Sequence, residues 1–140
     1  MHDAMEITDE QKRSAAEFLR SNHVAQMVGM ELVDLADGEA VIRVKMRDEL
    51  RQPHGLLHGG ITATLIDTAM AFAVLTRLGK DEKASTIDLT IHYTRPHTDG
   101  AITCRARVVR GGKRIFTVSA DAFNEENKLI ATAISTYTKV

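Results

Sequence analysis

The chain has 140 residues, enough for one domain with a proper core, and a net charge of −1 that offers no global field to nucleic acid or an acidic membrane. Its single cysteine, Cys104, excludes an internal disulfide framework and suits a reducing compartment. Residues 1–13 are mostly polar and lack the apolar run of a signal peptide, so a cytoplasmic protein is expected, with residues 1–140 as one domain undivided by repeats or linkers.

Thr8 and Asp9 offer an N-cap, and the acids Asp9 and Glu10 suit the positive end of a helix dipole. A helix is predicted to about Asn22, within an N-terminal helical segment 1–23, with Ala15, Phe18 and Leu19 as its apolar stripe. Residues 24–29 fit a second short helical turn. Met30 to Leu35 and Glu39 to Met46 alternate and are joined by Ala36-Asp37-Gly38, a hairpin signal. Residues 47–57 read as a loop holding Gln52-Pro53-His54-Gly55. One long central helix follows over 58–78. Ala, Leu and Met favour it, no Pro interrupts it, and Gly79 is placed as its C-cap after Arg77. Four strand-like runs complete the chain: 86–93, 101–110, 114–123 and 129–138. On the first, Ile87, Leu89, Ile91 and Tyr93 share a face. Consecutive strands with short turns predict an antiparallel meander, and the order of elements predicts the α+β class.

The central helix is apolar or small on nearly every face, which marks a buried helix. One sheet covers only one side of it. A strongly bent antiparallel sheet wrapped around the helix, with a second copy covering the rest, satisfies that demand. Between Gly59 and Thr76 the one ionisable side chain is Asp67. Its neighbours at i±3 and i±4 are Ala63, Thr64, Met70 and Ala71, and none neutralises it. A lone carboxylate there needs a partner, water or a purpose. The bland reading is a structural Asp bonded to nearby backbone or a Thr hydroxyl. A transmembrane span is disfavoured by Asp67, by Thr62, Thr64, Thr68 and Thr76, and by the head glycines.

The head of that helix is His58-Gly59-Gly60. Helix N-termini carry unpaired N–H groups and a positive dipole end, and glycines let a carbonyl oxygen approach them. Such an arrangement stabilises an oxyanion, and Asp67 would serve as general base or nucleophile. Gly59 and Asp67 are eight residues apart (67 − 59), roughly 12 Å along a helix. One helix therefore does not bring both to one carbonyl. Two helices packed antiparallel would, so a two-fold dimer with two composite sites is expected.

These residues carry a resemblance. His58-Gly59-Gly60 followed by Leu65, Asp67 and Ala69, in this element order, resembles the hotdog-fold acyl-CoA thioesterases of the phenylacetate-pathway (PaaI-like) branch, over about 28–139. The resemblance implies a hotdog fold and roles for particular residues. Gly59 would polarise the thioester carbonyl with help from Gln52, six positions before His58. Asp67 would be base or nucleophile. Thr86, with Ser85 next in line, would orient the water or carboxylate. The branch often has Asn at the Gln52 position. Coenzyme A would lie along 93–98 and 110–114, matching Tyr93, Arg95, Pro96, Arg110, Gly111, Gly112, Lys113 and Arg114. Four of these are cations able to meet phosphates, beside glycines that permit close approach; a solvated hairpin tip is the plain alternative. CoA is then part of the substrate and no separate cofactor is expected. The family is commonly a dimer of dimers, so a homotetramer is implied.

His58 is read as a cap or loop brace, with Gly60 supporting the helix head. His54, His92 and His97 lack metal-ligand spacing, so no metal is expected. Cys104 reads as core, and no Gly-x-Ser-x-Gly elbow is present. Pocket shape is assigned to loops, to a second subunit, and to Met70, Phe72, Val74 and residues 24–30. Rival readings are a hotdog dehydratase or hydratase, a non-catalytic acyl-CoA-binding regulator, and a purely structural oligomeric domain.

Overall fold

The structure, a computed structural model, describes residues 5–140. Helix α1 (Asp9–Arg20) opens with a capping box: Thr8 Oγ1 accepts the Gln11 N–H at 3.1 Å, and Gln11 returns a side-chain oxygen to the Thr8 N–H at 2.8 Å. It stops short of Asn22 because the Asn22 side chain instead caps α2 (His23–Val28), accepting the Ala25 N–H. Ala15 and Leu19 are buried as expected, but Phe18 is not part of that stripe. It is 62% exposed, with its ring 6.1 Å from that of Phe72.

Strands β1 (Met30–Ala36) and β2 (Glu39–Lys45) form the expected hairpin, with Gly38 at φ +70 in its turn. After α3 (Gly59–Leu75) come β3 (Ala84–Tyr93), β4 (Ala101–Gly111), β5 (Ile115–Phe123) and β6 (Leu129–Lys139). All pair antiparallel in the order β1-β2-β4-β5-β6-β3. The meander therefore holds for β4 to β6 only. β3 sits at the far edge beside β6, and residues 94–100 carry the chain across to β4. That segment is no tight turn. Its backbone is tied to the 47–57 loop, where the Leu57 N–H donates to His97 O at 2.8 Å.

α3 lies in the trough of the bent sheet. Leu65, Ile66, Ala69, Met70, Ala73 and Val74 are sealed against the strands. The helix ends at Thr76, whose hydroxyl donates to Ala73 O and accepts the Gly38 N–H at 2.8 Å. Arg77 then turns to pair with Asp37 at 2.6 Å. The helix is thus shorter than 58–78, and Gly79 is not its cap; the Gly79 N–H bonds Glu82 instead. Met70, Phe72 and Val74 are core residues, buried in the protomer.

The sheet does not close over the whole helix. A stripe at helical spacing, Gly60, Thr64, Asp67, Thr68, Ala71 and Leu75, stays partly or fully open. No helix among the described residues is long and apolar enough to cross a membrane.

Candidate active site

Asp67 sits on the open stripe of α3, half-buried. It is not alone. Thr86 on β3 donates its hydroxyl to Asp67 Oδ1 at 2.9 Å. Tyr137 on β6 points its hydroxyl at the same Oδ1 and at the main-chain oxygen of Asp67, the latter at 2.7 Å. Thr86 and Tyr137 are direct cross-strand partners, and the β3 ladder slips just after Thr86, before Asp88. Such a bulge re-aims the strand locally. Ser85 is exposed and makes no such bond, so of the two candidates only Thr86 reaches the carboxylate. Oδ2 of Asp67 has no hydrogen-bond partner among the described residues, yet it is not among the solvent-sealed unpartnered atoms. It faces outward.

Tyr137 escaped the sequence reading. Its signal was present: on β6 the inward positions are Ala131, Ala133, Ser135 and Tyr137. A phenol facing a core needs a polar partner, and the sole ionisable group of the helix above is Asp67. Burial pushes the Tyr137 phenol far up from its ordinary 10.0, and the hydrogen bond to Asp67 adds to this, so the hydroxyl stays protonated.

At the helix head, His58 accepts the Gly60 N–H through Nδ1 at 2.9 Å, while its carbonyl takes the Ile61 and Thr62 N–H groups. The capping ring thus occupies the Gly60 donor. The Gly59 N–H has no acceptor among the described residues. Tyr93 holds this corner, donating to Gly59 O at 2.7 Å.

Gln52 shares a cleft of about 350 Å³ with Gly59, Tyr93, Arg95, Pro96 and His97. Its Oε1 accepts the His54 N–H, and its Nε2 amide protons have no acceptor among the described residues. The cleft walls are the 47–57 and 94–100 loops. Arg51 clasps them, donating to Gly55 O at 2.7 Å and to Thr98 O at 2.6 Å, and pairing with Asp48 and Asp99 at 3.0 Å each.

The residues expected along coenzyme A divide into two groups. Tyr93, Arg95 and Pro96 join the helix-head cleft. Arg110, Gly111 and Gly112 line a larger cavity of about 810 Å³ near Thr76, Arg77 and Lys139, at the other end of α3. Lys113 and Arg114 are exposed on the hairpin tip and line neither. Within one protomer the two groups are separated by the helix, because β4 and β5 turn at the end where α3 finishes.

A family description reading "Thioesterase superfamily" matches residues 54–131, more than half of the chain. The chain belongs to the thioesterase superfamily. Its PaaI-like hotdog architecture and its class, a thioester hydrolase, follow from that membership and its relatives. A putative esterase of Saccharolobus solfataricus is 30% identical over 86% of this chain and 80% of its own length. Human acyl-coenzyme A thioesterase 13 is 34% identical, over 71% of this chain and 72% of its own. Among solved structures, a mutant of the phenylacetic acid degradation protein PaaI from Thermus thermophilus superposes with a TM-score of 0.78 at 29% identity, covering 85% of this thioesterase-superfamily chain and 100% of its own. The matched residues include Gly59, Asp67 and Thr86 but stop before Tyr137.

Proposed function

We propose that the protein hydrolyses acyl- or aryl-CoA thioesters at two composite sites of a dimer. The Gly59 N–H and the Gln52 amide receive the thioester carbonyl oxygen, and Asp67 of the neighbouring subunit supplies Oδ2. That oxygen either takes a proton from water as water adds to the carbonyl carbon, or attacks that carbon and forms an anhydride that water then opens. In both routes the C–S bond breaks, the sulfur leaves as CoA thiolate and is protonated, and the acid is released. The chemistry calls for no metal or added cofactor.

The observation that carries this reading is Asp67 itself: one carboxylate oxygen held by two hydroxyls, the other open, on the stripe of α3 that the protomer's own sheet leaves bare. The two hydroxyls orient the carboxylate and leave its second oxygen unengaged within the protomer. Two features support the dimer. The β1 edge of the sheet is covered by α1, whereas β3 has no strand on its outer side and exposes Ile87 and Tyr93. An antiparallel partner helix on the stripe would also carry its 110–114 hairpin toward this helix head, rejoining the two halves of the CoA set. A dimer of dimers is the assembly we expect.

The test is thiol release from a panel of aryl- and fatty acyl-CoAs, with Asp67→Asn and Asp67→Ala alongside. Free CoA appears with the parent chain, and either variant loses most activity while circular dichroism stays native. Full activity in a variant overturns the reading. Loss of water from a hydroxyacyl-CoA without thiol release, or stoichiometric binding with no product, supports a rival instead.

A further inference from the structure

We infer that Tyr137 is a positioning residue that fixes which oxygen of Asp67 reacts. This rests on the reading of Asp67 given above. The Tyr137 hydroxyl lies against two oxygens of one residue, the main-chain O and Oδ1 of Asp67. A single donor bridging backbone and side chain of the same residue selects one rotamer of that side chain. Thr86 adds a second hydroxyl to Oδ1 from the neighbouring strand, at 2.9 Å. The carboxylate can neither rotate about its own bond nor swing along the stripe without breaking both contacts.

Both donors belong to the sheet: Tyr137 points inward from β6, whereas Thr86 reaches Asp67 from an exposed stretch of β3. Tyr137 is 2% exposed, and its strand pairs on both sides, with Thr86 of β3 and Phe116 of β5. The ring therefore has no freedom to follow Asp67; the carboxylate follows the ring. Oδ1 carries both hydroxyl contacts, and Oδ2, which carries none, is left for water or a carbonyl carbon. Tyr137 does not touch substrate in this arrangement. It acts through Asp67, by holding a near-attack geometry that a free Asp side chain would occupy only part of the time.

The experiment is Tyr137→Phe, which keeps the buried ring and removes only the hydroxyl, assayed for thiol release per folded protomer. We expect kcat to fall at least tenfold, with KM within twofold and a cooperative melt retained. The same substitution placed on Asp67→Asn should leave the residual rate unchanged, because the residue it positions is already gone. Thr86→Val should lose rate and Thr86→Ser should keep it, since Ser restores the hydroxyl. A Tyr137→Phe enzyme with parental kcat overturns the inference, and so does an equal further loss on the Asp67→Asn background. A Tyr137→Phe chain that does not fold also overturns it, assigning the hydroxyl to the fold. None of these outcomes touches the role of Asp67, which stands or falls with its own variants.

Discussion

Gly59 separates what the fold needs from what the chemistry needs. Its φ is not positive, and a Cβ there would meet only the Tyr93 ring, at 3.5 Å, an ordinary contact. The protein itself therefore has no steric use for a glycine at this position. Gly59→Ala should fold with a melting temperature equal to or above the parent's, since Ala is favoured over Gly in helices by up to about 1 kcal/mol. Thiol release should nonetheless fall ~10²-fold, the loss expected when one oxyanion donor is obstructed. An Ala variant as active as the parent would remove Gly59 from the site. Cys104 and Tyr137 make a second residue-level prediction. Burial pushes the Cys104 thiol up from its ordinary 9.0, as it does the Tyr137 phenol from 10.0. Both stay protonated in the fold and ionise once unfolded. Their contribution is complete below about pH 9 and declines above it, because the unfolded chain then binds fewer protons than the folded one. Urea midpoints should fall progressively from about pH 9 to about pH 11, with Cys104→Ala removing the part that starts near 9. At this scale Asp67 and Gly59 were legible as candidates, since a lone acid in an apolar helix and a glycine pair at its head are local patterns, whereas Thr86 came only from the family resemblance. Tyr137 was missed although its place among the inward positions of β6 could be read, because the residue it meets, 70 positions away, appears only once β6 is placed against α3.

Among the elements, β3 was the hardest to place. Its alternation was clear, and its own residues announce a strand. Nothing local says that it pairs with the last strand in preference to the next one, since pairing is decided by which loops must be tied together. The 94–100 segment is spent on the wall of the cleft, so it cannot serve as a hairpin turn. Ile87 and Tyr93, read as sharing an apolar face with Leu89 and Ile91, are exposed at 55% and 54%. This also defines what β3 should do in assembly. Ile87→Lys puts a charge on the open edge, a device that keeps strand edges apart. The variant should sediment as a smaller species than the parent while keeping its circular dichroism. Its thiol release should drop in proportion to the dimer lost. Unchanged assembly would place the interface elsewhere.

For the whole molecule, the proposed function requires that half of each site come from another copy. Asp67→Asn and Gly59→Ala chains are each expected to be inactive as pure dimers. Unfolded together and refolded, half of the dimers formed are mixed, and each mixed dimer holds one site with both an intact Gly59 and an intact Asp67. Activity should reappear at about a quarter of the parental level per chain. If each protomer housed a complete site, no mixture would contain one, and no activity would return. An expectation of composite sites was legible in the sequence, from the length of one helix against the reach of one hydrogen bond, and the mixed refolding tests it. The separation of Arg110, Gly111 and Gly112 from Arg95 was not, because it depends on which end of the helix each hairpin turns toward.

The Arg51 clasp has a consequence for how a ligand enters. One guanidinium spans the two loops and satisfies a carbonyl on each, so their spacing is set before anything arrives. Guests meet a mouth already at its working width. On the proposed function, acyl chains should then be sorted by shape on admission, ahead of any chemical step, and Arg51→Ala should blur that sorting across an acyl-CoA panel.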